Sequence, residues 1–157
     1  MIQRKQTIYL FFAGLVTLVL IFIPFGYIYT DVAGFRYTAF SVRDITPDHT
    51  FILSTIGNAI LLMATSALSF ITIFLYKNRR LQLKLLSVNM LVVLAAIFTI
   101  MIVYPRFIFS ENADLKGAIV NYNYTFLICF VSALGIFLAK KAITNDEALV
   151  RSADRLR

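Results

Sequence analysis

Apolar residues fall along this chain in long blocks separated by short polar segments, with no steady amphipathic period inside the blocks. Four blocks, over 8–29, 51–76, 85–104 and 122–139, contain no Asp, Glu, Lys, Arg or His. Crossing the hydrocarbon of a bilayer takes about 20 mainly apolar residues in a helix, and one charge at its centre costs at least about 2.5–3.5 kcal/mol. The blocks therefore predict an all-α integral membrane protein with four transmembrane helices, a four-helix bundle in a single domain over 1–157. Tyr9, Tyr27, Tyr29, Tyr76, Tyr104, Tyr122 and Tyr124 mark the block ends, as aromatic belts do. Pro24, followed by Gly26, is expected to bend or end the first helix near the outer surface.

Composition points the same way. The chain is 60% apolar and 15% charged, with a mean hydropathy of +0.82, where a soluble domain is about half apolar. The first block follows Arg4 and Lys5 as a signal peptide would. It is too long for one and lacks a small-x-small cleavage site, so a retained anchor is expected. Cys129 is the only cysteine, which excludes disulfides within the chain.

Charge orients the chain. Eleven Lys and Arg residues lie on the side of the two termini and the loop after the second block, against four on the other side. With carboxylates included, the two sides carry +8 and −1, which accounts for the +7 of the whole chain. The excess of basic residues predicts a multi-pass chain with both termini in the cytoplasm. On the opposite side, Phe35 to Val42 is rich in residues that favour strands, bracketed by Gly34 and by Ile45-Thr46-Pro47-Asp48. Both a surface hairpin and an irregular loop fit it. Thr46 to Thr50 is read as the start of the second helix, with Asp48 or Thr50 as cap.

Few residues offer chemistry. In the second helix Ser54, Asn58, Thr65, Ser69 and Thr72 fall within a sector of roughly 60°. In lipid such a stripe serves helix packing, and the alternative is the lining of a small permeation path. Asn58 is expected to meet a partner on another helix, Asn89 being the candidate. Thr125, Cys129, Ser132, Gly135 and Ala139 form a small face on the fourth helix, suited to close approach by another backbone. Cys129 reads as a packing residue, since no base shares its helix. His49 is the only histidine and cannot by itself build a zinc or bis-histidine haem site. No catalytic residue, cofactor site or metal site is expected. Disulfide-forming quinone reductases need paired cysteines, small multidrug exporters an intramembrane acid, and glutathione-transferring membrane enzymes charged side chains on their helices; the blocks have none of these.

On the predicted cytoplasmic side, Lys77, Arg79, Arg80 and Lys84 are expected to lie close to Lys140 and Lys141. Attraction to anionic lipid headgroups explains such a cluster at about 1 kcal/mol per basic residue, an acidic protein or RNA being the other reading; nucleic acid is not the expected partner. The tail over 140–157 contains Thr144-Asn145-Asp146-Glu147, which has the form of a capping box. A short amphipathic helix is predicted to follow, with Leu149, Ala153 and Leu156 on one apolar face and Arg151 and Arg155 beside it.

Met1-Ile2-Gln3-Arg4-Lys5-Gln6-Thr7-Ile8-Tyr9-Leu10, the loop Lys77-Asn78-Arg79-Arg80-Leu81-Gln82-Leu83-Lys84-Leu85 and the ending Asp146 to Arg157 together resemble the four-span inner-membrane family catalogued as domain of unknown function 4293. The resemblance covers the whole chain. It implies a bacterium of the Bacteroidota type and an inner-membrane location, and it brings no activity or catalytic residue. The functional expectation is a non-catalytic accessory subunit that docks on a larger membrane assembly. Its alternatives are a small transporter or channel-like oligomer using the Ser54–Thr72 stripe and, less favoured, a lipid-modifying enzyme.

Overall fold

The computed structural model of the protein describes residues 3–29, 33–45, 51–111 and 119–155. Helix α1 (Gln3–Leu20) leads into strands β1 (Gly26–Tyr29), β2 (Gly34–Tyr37), β3 (Ser41–Asp44) and β4 (Phe51–Ser54). Helices α2 (Ile56–Phe74) and α3 (Arg79–Phe98) follow, then a π-helical turn over Thr99–Val103, helix α4 (Tyr104–Glu111), strand β5 (Ile119–Tyr122) and helix α5 (Thr125–Arg155). The strands form one antiparallel sheet in the order β4-β3-β2-β1-β5.

The protein is thus not all-α. Three stretches are long and apolar enough to cross a membrane: Ile56–Phe74, Arg79–Ser110 and Leu127–Leu149. The apolar part of α1, Gln6–Leu20, is shorter; at 1.5 Å per residue it covers roughly 22 Å, against a hydrocarbon thickness of about 30 Å. The expectation of four transmembrane helices is corrected to three, and the four-helix bundle to a helical body crowned by a sheet. The expected blocks were too long because their outer ends are strands: 26–29 from the first, 51–54 from the second and Tyr122 from the last. A short apolar run cannot be told from the end of a buried helix by its periodicity. Residues 46–50, with the expected helix start and His49, lie outside the described residues; α2 begins only at Ile56, after β4.

The sheet has local reasons. α1 ends four residues before Pro24, and Gly26 then pairs with both Tyr37 and Tyr122. A Cβ on Gly26 would lie 2.5 Å from the Asn121 carbonyl oxygen, so glycine is what lets β5 come alongside β1. Between β2 and β3 the chain turns at Thr38, whose amide donates to the Ser41 carbonyl at 3.1 Å and whose hydroxyl donates to the same oxygen at 2.7 Å. The surface hairpin is present, enlarged by a strand on each side. Val42 and Arg43 flank a bulge against β4, and Thr55 joins the hairpin to α2 by donating its amide to Phe40 at 3.0 Å and its hydroxyl to Thr38 at 2.8 Å.

Two clusters hold the interior together. Beneath the sheet, Phe25, Ile28, Tyr37 and Val42 pack on Leu20, Leu62, Ile100 and Ile108, with the Phe25 and Tyr37 rings edge to face at 5.3 Å. Toward the other end Leu10, Ala13, Leu86, Val93, Ile136 and Ile143 form the second cluster. α1 packs against α2 and α5, and α3 packs against the same two helices. The apolar side chains left outside, among them Phe22, Phe74, Leu91 and Val131, are exposed, a distribution that suits lipid as the surrounding solvent. This is a membrane protein.

α5 runs unbroken for 31 residues, roughly 46 Å, so the separate tail helix is also corrected. The Thr144 hydroxyl donates to the Lys140 carbonyl one turn back at 3.0 Å and caps nothing, because the helix does not start there. Leu156 lies outside the described residues.

The Gly26 contact yields a prediction. Gly26→Ala is expected to force β5 from β1 and lower the melting temperature in detergent, by the equivalent of about 1–3 kcal/mol for overpacking. Circular dichroism should show sheet signal lost before helix signal, whereas an unchanged melt would mean that β5 does not approach as closely as described.

Candidate functional site

The most constrained residues lie where the sheet meets the helices. Pro105 is the second residue of α4, and proline has no N–H to give. An α-helical register would direct that missing donor at the Met101 carbonyl, and a π register at the Ile100 carbonyl. The chain takes the π turn over Thr99–Val103, with the Tyr104 amide bonded to the Thr99 carbonyl. The sheet brings a hydroxyl donor to each of these carbonyls: Tyr37 Oη donates to the Ile100 carbonyl at 3.2 Å and Tyr122 Oη to the Met101 carbonyl at 3.0 Å. Asn58 Nδ2 of α2 in turn donates to Tyr37 Oη at 2.9 Å. Burial raises the pKa of the Tyr37 hydroxyl well above its ordinary 10.0, the Asn58 bond working against that shift, and burial also raises Tyr122. Both rings therefore stay neutral and keep the proton with which they donate.

The polar stripe of α2 turns inward except at its start. Asn58, Thr65, Ser69 and Thr72 are buried, whereas Ser54 is exposed at the end of β4. The Thr65, Ser69 and Thr72 hydroxyls donate to carbonyls four residues back, at 3.0, 2.9 and 2.6 Å. Asn89 Nδ2 of α3 donates to Ser69 Oγ at 2.9 Å. The expected Asn58–Asn89 pair is not formed: Asn58 meets the sheet and Asn89 meets Ser69. The amide oxygens of Asn58 and Asn89 are buried without hydrogen-bond partners. Near the end of α2, buried Gln82 of α3 donates its side-chain amide to the Thr72 carbonyl at 3.0 Å, supplying a donor that a helix end lacks.

The small face of α5 meets α1. Ser132 Oγ donates to the Ala13 carbonyl at 3.4 Å, and a Cβ on Gly135 would lie 3.2 Å from Ala13 Cβ. Cys129 and Ala139 are buried on the same side; Thr125 is in α5, though its side chain lies outside what is described. Gly14 of α1 does the equivalent toward α2, where Ser66 Oγ donates to its carbonyl at 2.9 Å.

At the end away from the sheet, Gln6 Nε2 donates to Asp146 Oδ2. Beside them Arg79 and Gln82 border a space of about 20 Å³, room for about one water. Lys77, Arg80, Lys84 and Lys141 are exposed around this end, and Arg79 and Lys140 are half-buried. Leu149 is 61% exposed; Arg151 and Arg155 continue α5 without described side chains.

Sequence reasoning missed Ser66, Thr17, Tyr37, Tyr122 and Pro105. Ser66 falls about 60° beyond the edge of the chosen sector, and Thr17 bonds within its own helix, to Ala13 at 2.9 Å. Pro105, directly after an apolar run, was the one available signal for unbonded carbonyls there.

A sequence profile described as domain of unknown function (DUF4293) matches residues 2–156. The comparison with curated proteins gives no match.

The tyrosine clamp can be titrated. Followed by tyrosinate absorbance, Tyr37 and Tyr122 are expected to ionise only above the ordinary tyrosine pKa, because burial raises both. Because the folded pKa values are raised, the stabilisation is complete below the unfolded tyrosine pKa of about 10 and declines as pH rises above it. Tyr37→Phe should abolish part of the delayed ionisation and cost about 1–3 kcal/mol, since it leaves buried groups unpaired. A Tyr37→Phe titration superimposable on that of the wild type would refute the clamp.

Proposed function

The chain belongs to the family described as domain of unknown function DUF4293, and from its geometry we propose that it is a non-catalytic accessory subunit of the bacterial inner membrane, docking on a larger membrane assembly. The observation that carries this reading is the inward use of its polar groups. The buried hydroxyls and amides of α2 bond to helix carbonyls, to Tyr37 and to Asn89, so the stripe serves cohesion. The outward surface is left for partners: apolar side chains along the helices and, beyond the Gln6–Asp146 contact, the last turns of α5 with Leu149 exposed. A transporter or channel-like oligomer would need the same stripe facing a path, and the hydrogen bonds it makes inside the chain weigh against that alternative.

The basic end is the cytoplasmic one in this proposal. Gln6 and Asp146 meet there, and Lys77, Arg80, Lys84 and Lys141 surround it, so the chain on both sides of the body leads toward the face where Lys and Arg accumulate. The partners are anionic lipid headgroups and other inner-membrane proteins, with no nucleic acid.

Single cysteines at Thr38, Arg79 and Ser152 in a Cys129→Ser background test the orientation. An impermeant thiol reagent applied to spheroplasts is expected to label position 38 alone; labelling at 79 would invert the proposal. Docking is tested by Leu149→Asp with Leu156→Asp, which removes up to about 1.5–3 kcal/mol of burial per leucine from a contact that uses them. Co-purification in mild detergent should then lose a specific partner although the protein still inserts. The same partners retained in the double variant would sink the docking role of α5.

A further inference from the structure

One opening lies apart from the polar seam. It is a groove of about 410 Å³ between α3 and α5, toward the basic end. Met90, Ile136 and Phe137 form its floor, and Lys140, Lys141, Thr144 and Asn145 its rim. We propose that this groove is a binding site for one anionic glycerophospholipid, with an acyl chain along the floor and the phosphate between the two lysines.

Three observations argue for that occupant. The first is the order of chemistry along α5. Successive turns present an apolar pair, a cationic pair and then a hydroxyl and an amide, the order in which a lipid presents its chain, its phosphate and its polar head. The second is position. Lys140 stands fifteen residues from Thr125 along α5, roughly 22 Å, directly after the charge-free run that ends at Ala139. Lysines at that depth lay their stems along apolar surface and raise the ammonium to the interface. The third is charge. Among the described residues no carboxylate lines the groove, and Asp146 is turned to Gln6 of α1, so the rim offers net positive charge to the phosphate. The volume falls within the roughly 300–1,000 Å³ usual for small-molecule sites. A soluble phosphate would use the rim and leave the floor in contact with nothing it can bury, and a neutral lipid would use the floor and forgo the lysines. The anionic lipid uses both.

This site is independent of the docking role, and its test reads bound lipid where the docking test reads bound protein. The full chain is purified in mild detergent, freed of lipid and titrated with phosphatidylglycerol or phosphatidylcholine of the same acyl chains, and bound lipids are counted by native mass spectrometry. One phosphatidylglycerol is expected to bind well before any phosphatidylcholine, and excess inorganic phosphate should not displace it. Lys140→Gln with Lys141→Gln should reduce that preference by roughly ten- to thirty-fold. Thr144→Trp, which keeps the charge and fills the exposed rim, should also remove the tightly bound lipid. Lys77→Gln with Arg80→Gln removes the same charge from exposed positions outside the groove and should leave it bound. Displacement by phosphate would make this an ion site. Equal loss in the Lys77/Arg80 variant would reduce the effect to diffuse attraction, and retention in Thr144→Trp would place the lipid elsewhere; each of these results overturns the proposal.

Discussion

Everything at the crown of this molecule depends on a donor that Pro105 cannot supply. A helix deep in a protein cannot leave carbonyls unbonded, because water does not reach them and each orphan costs on the order of 1–3 kcal/mol. The chain absorbs the defect by widening α3 into a π turn and bringing in tyrosine hydroxyls from two different strands. The sheet is therefore part of the helix: it completes a hydrogen-bond ladder that the helix cannot finish. The buried Tyr37 ring shows the same dependence in reverse, since its hydroxyl has Ile100 and Asn58 as partners and its ring has Phe25.

Lower in the body, cohesion comes from closeness. Lipid tails are as apolar as leucine, so helices in a membrane gain little by merely touching, and they gain from backbone approach and from hydrogen bonds between helices. Gly14 and Gly135 provide the approach on the two sides of α1, and Ser66 and Ser132 use it to reach the carbonyls of Gly14 and Ala13. Asn89 and Gln82 do the same between α3 and α2. Each such bond is worth on average about 0.6 kcal/mol, so none dominates, and α1 is held by small residues on both neighbours at once.

The helical body was legible because lipid imposes a simple rule: charge-free blocks, tyrosines at their ends and basic residues gathered on one side. The small face of α5 was legible too, since Ser132, Gly135 and Ala139 can share one side only if the segment is helical. The sheet was not. Gly26 to Tyr29 and Phe51 to Ser54 are as apolar as the helices they adjoin, and only Pro24 with Gly26 hinted that the helix had ended. The tail misled for the opposite reason. Thr144 and Glu147 have the spacing of a capping box, but a cap needs a broken helix, and Ile143 is buried against the core in a helix that continues through it. The partner of Asn58 was beyond reach, because it lies on a strand whose position over α2 is set by tertiary packing.

The edge position of β5 has a consequence for how the molecule is made. Strands β1 to β4 leave the ribosome together and can pair locally, but the outer side of β1 must wait for Ile119–Tyr122, some ninety residues later. Pairing at that separation is slow, because a long loop must close before any bond is gained. Until then the edge of β1 and the carbonyl of Met101 are open together, and the arrival of Tyr122 closes the edge and bonds that carbonyl in one event. Biogenesis thus has a late step built into it, in which the half-finished crown must be kept from pairing with another half-finished crown.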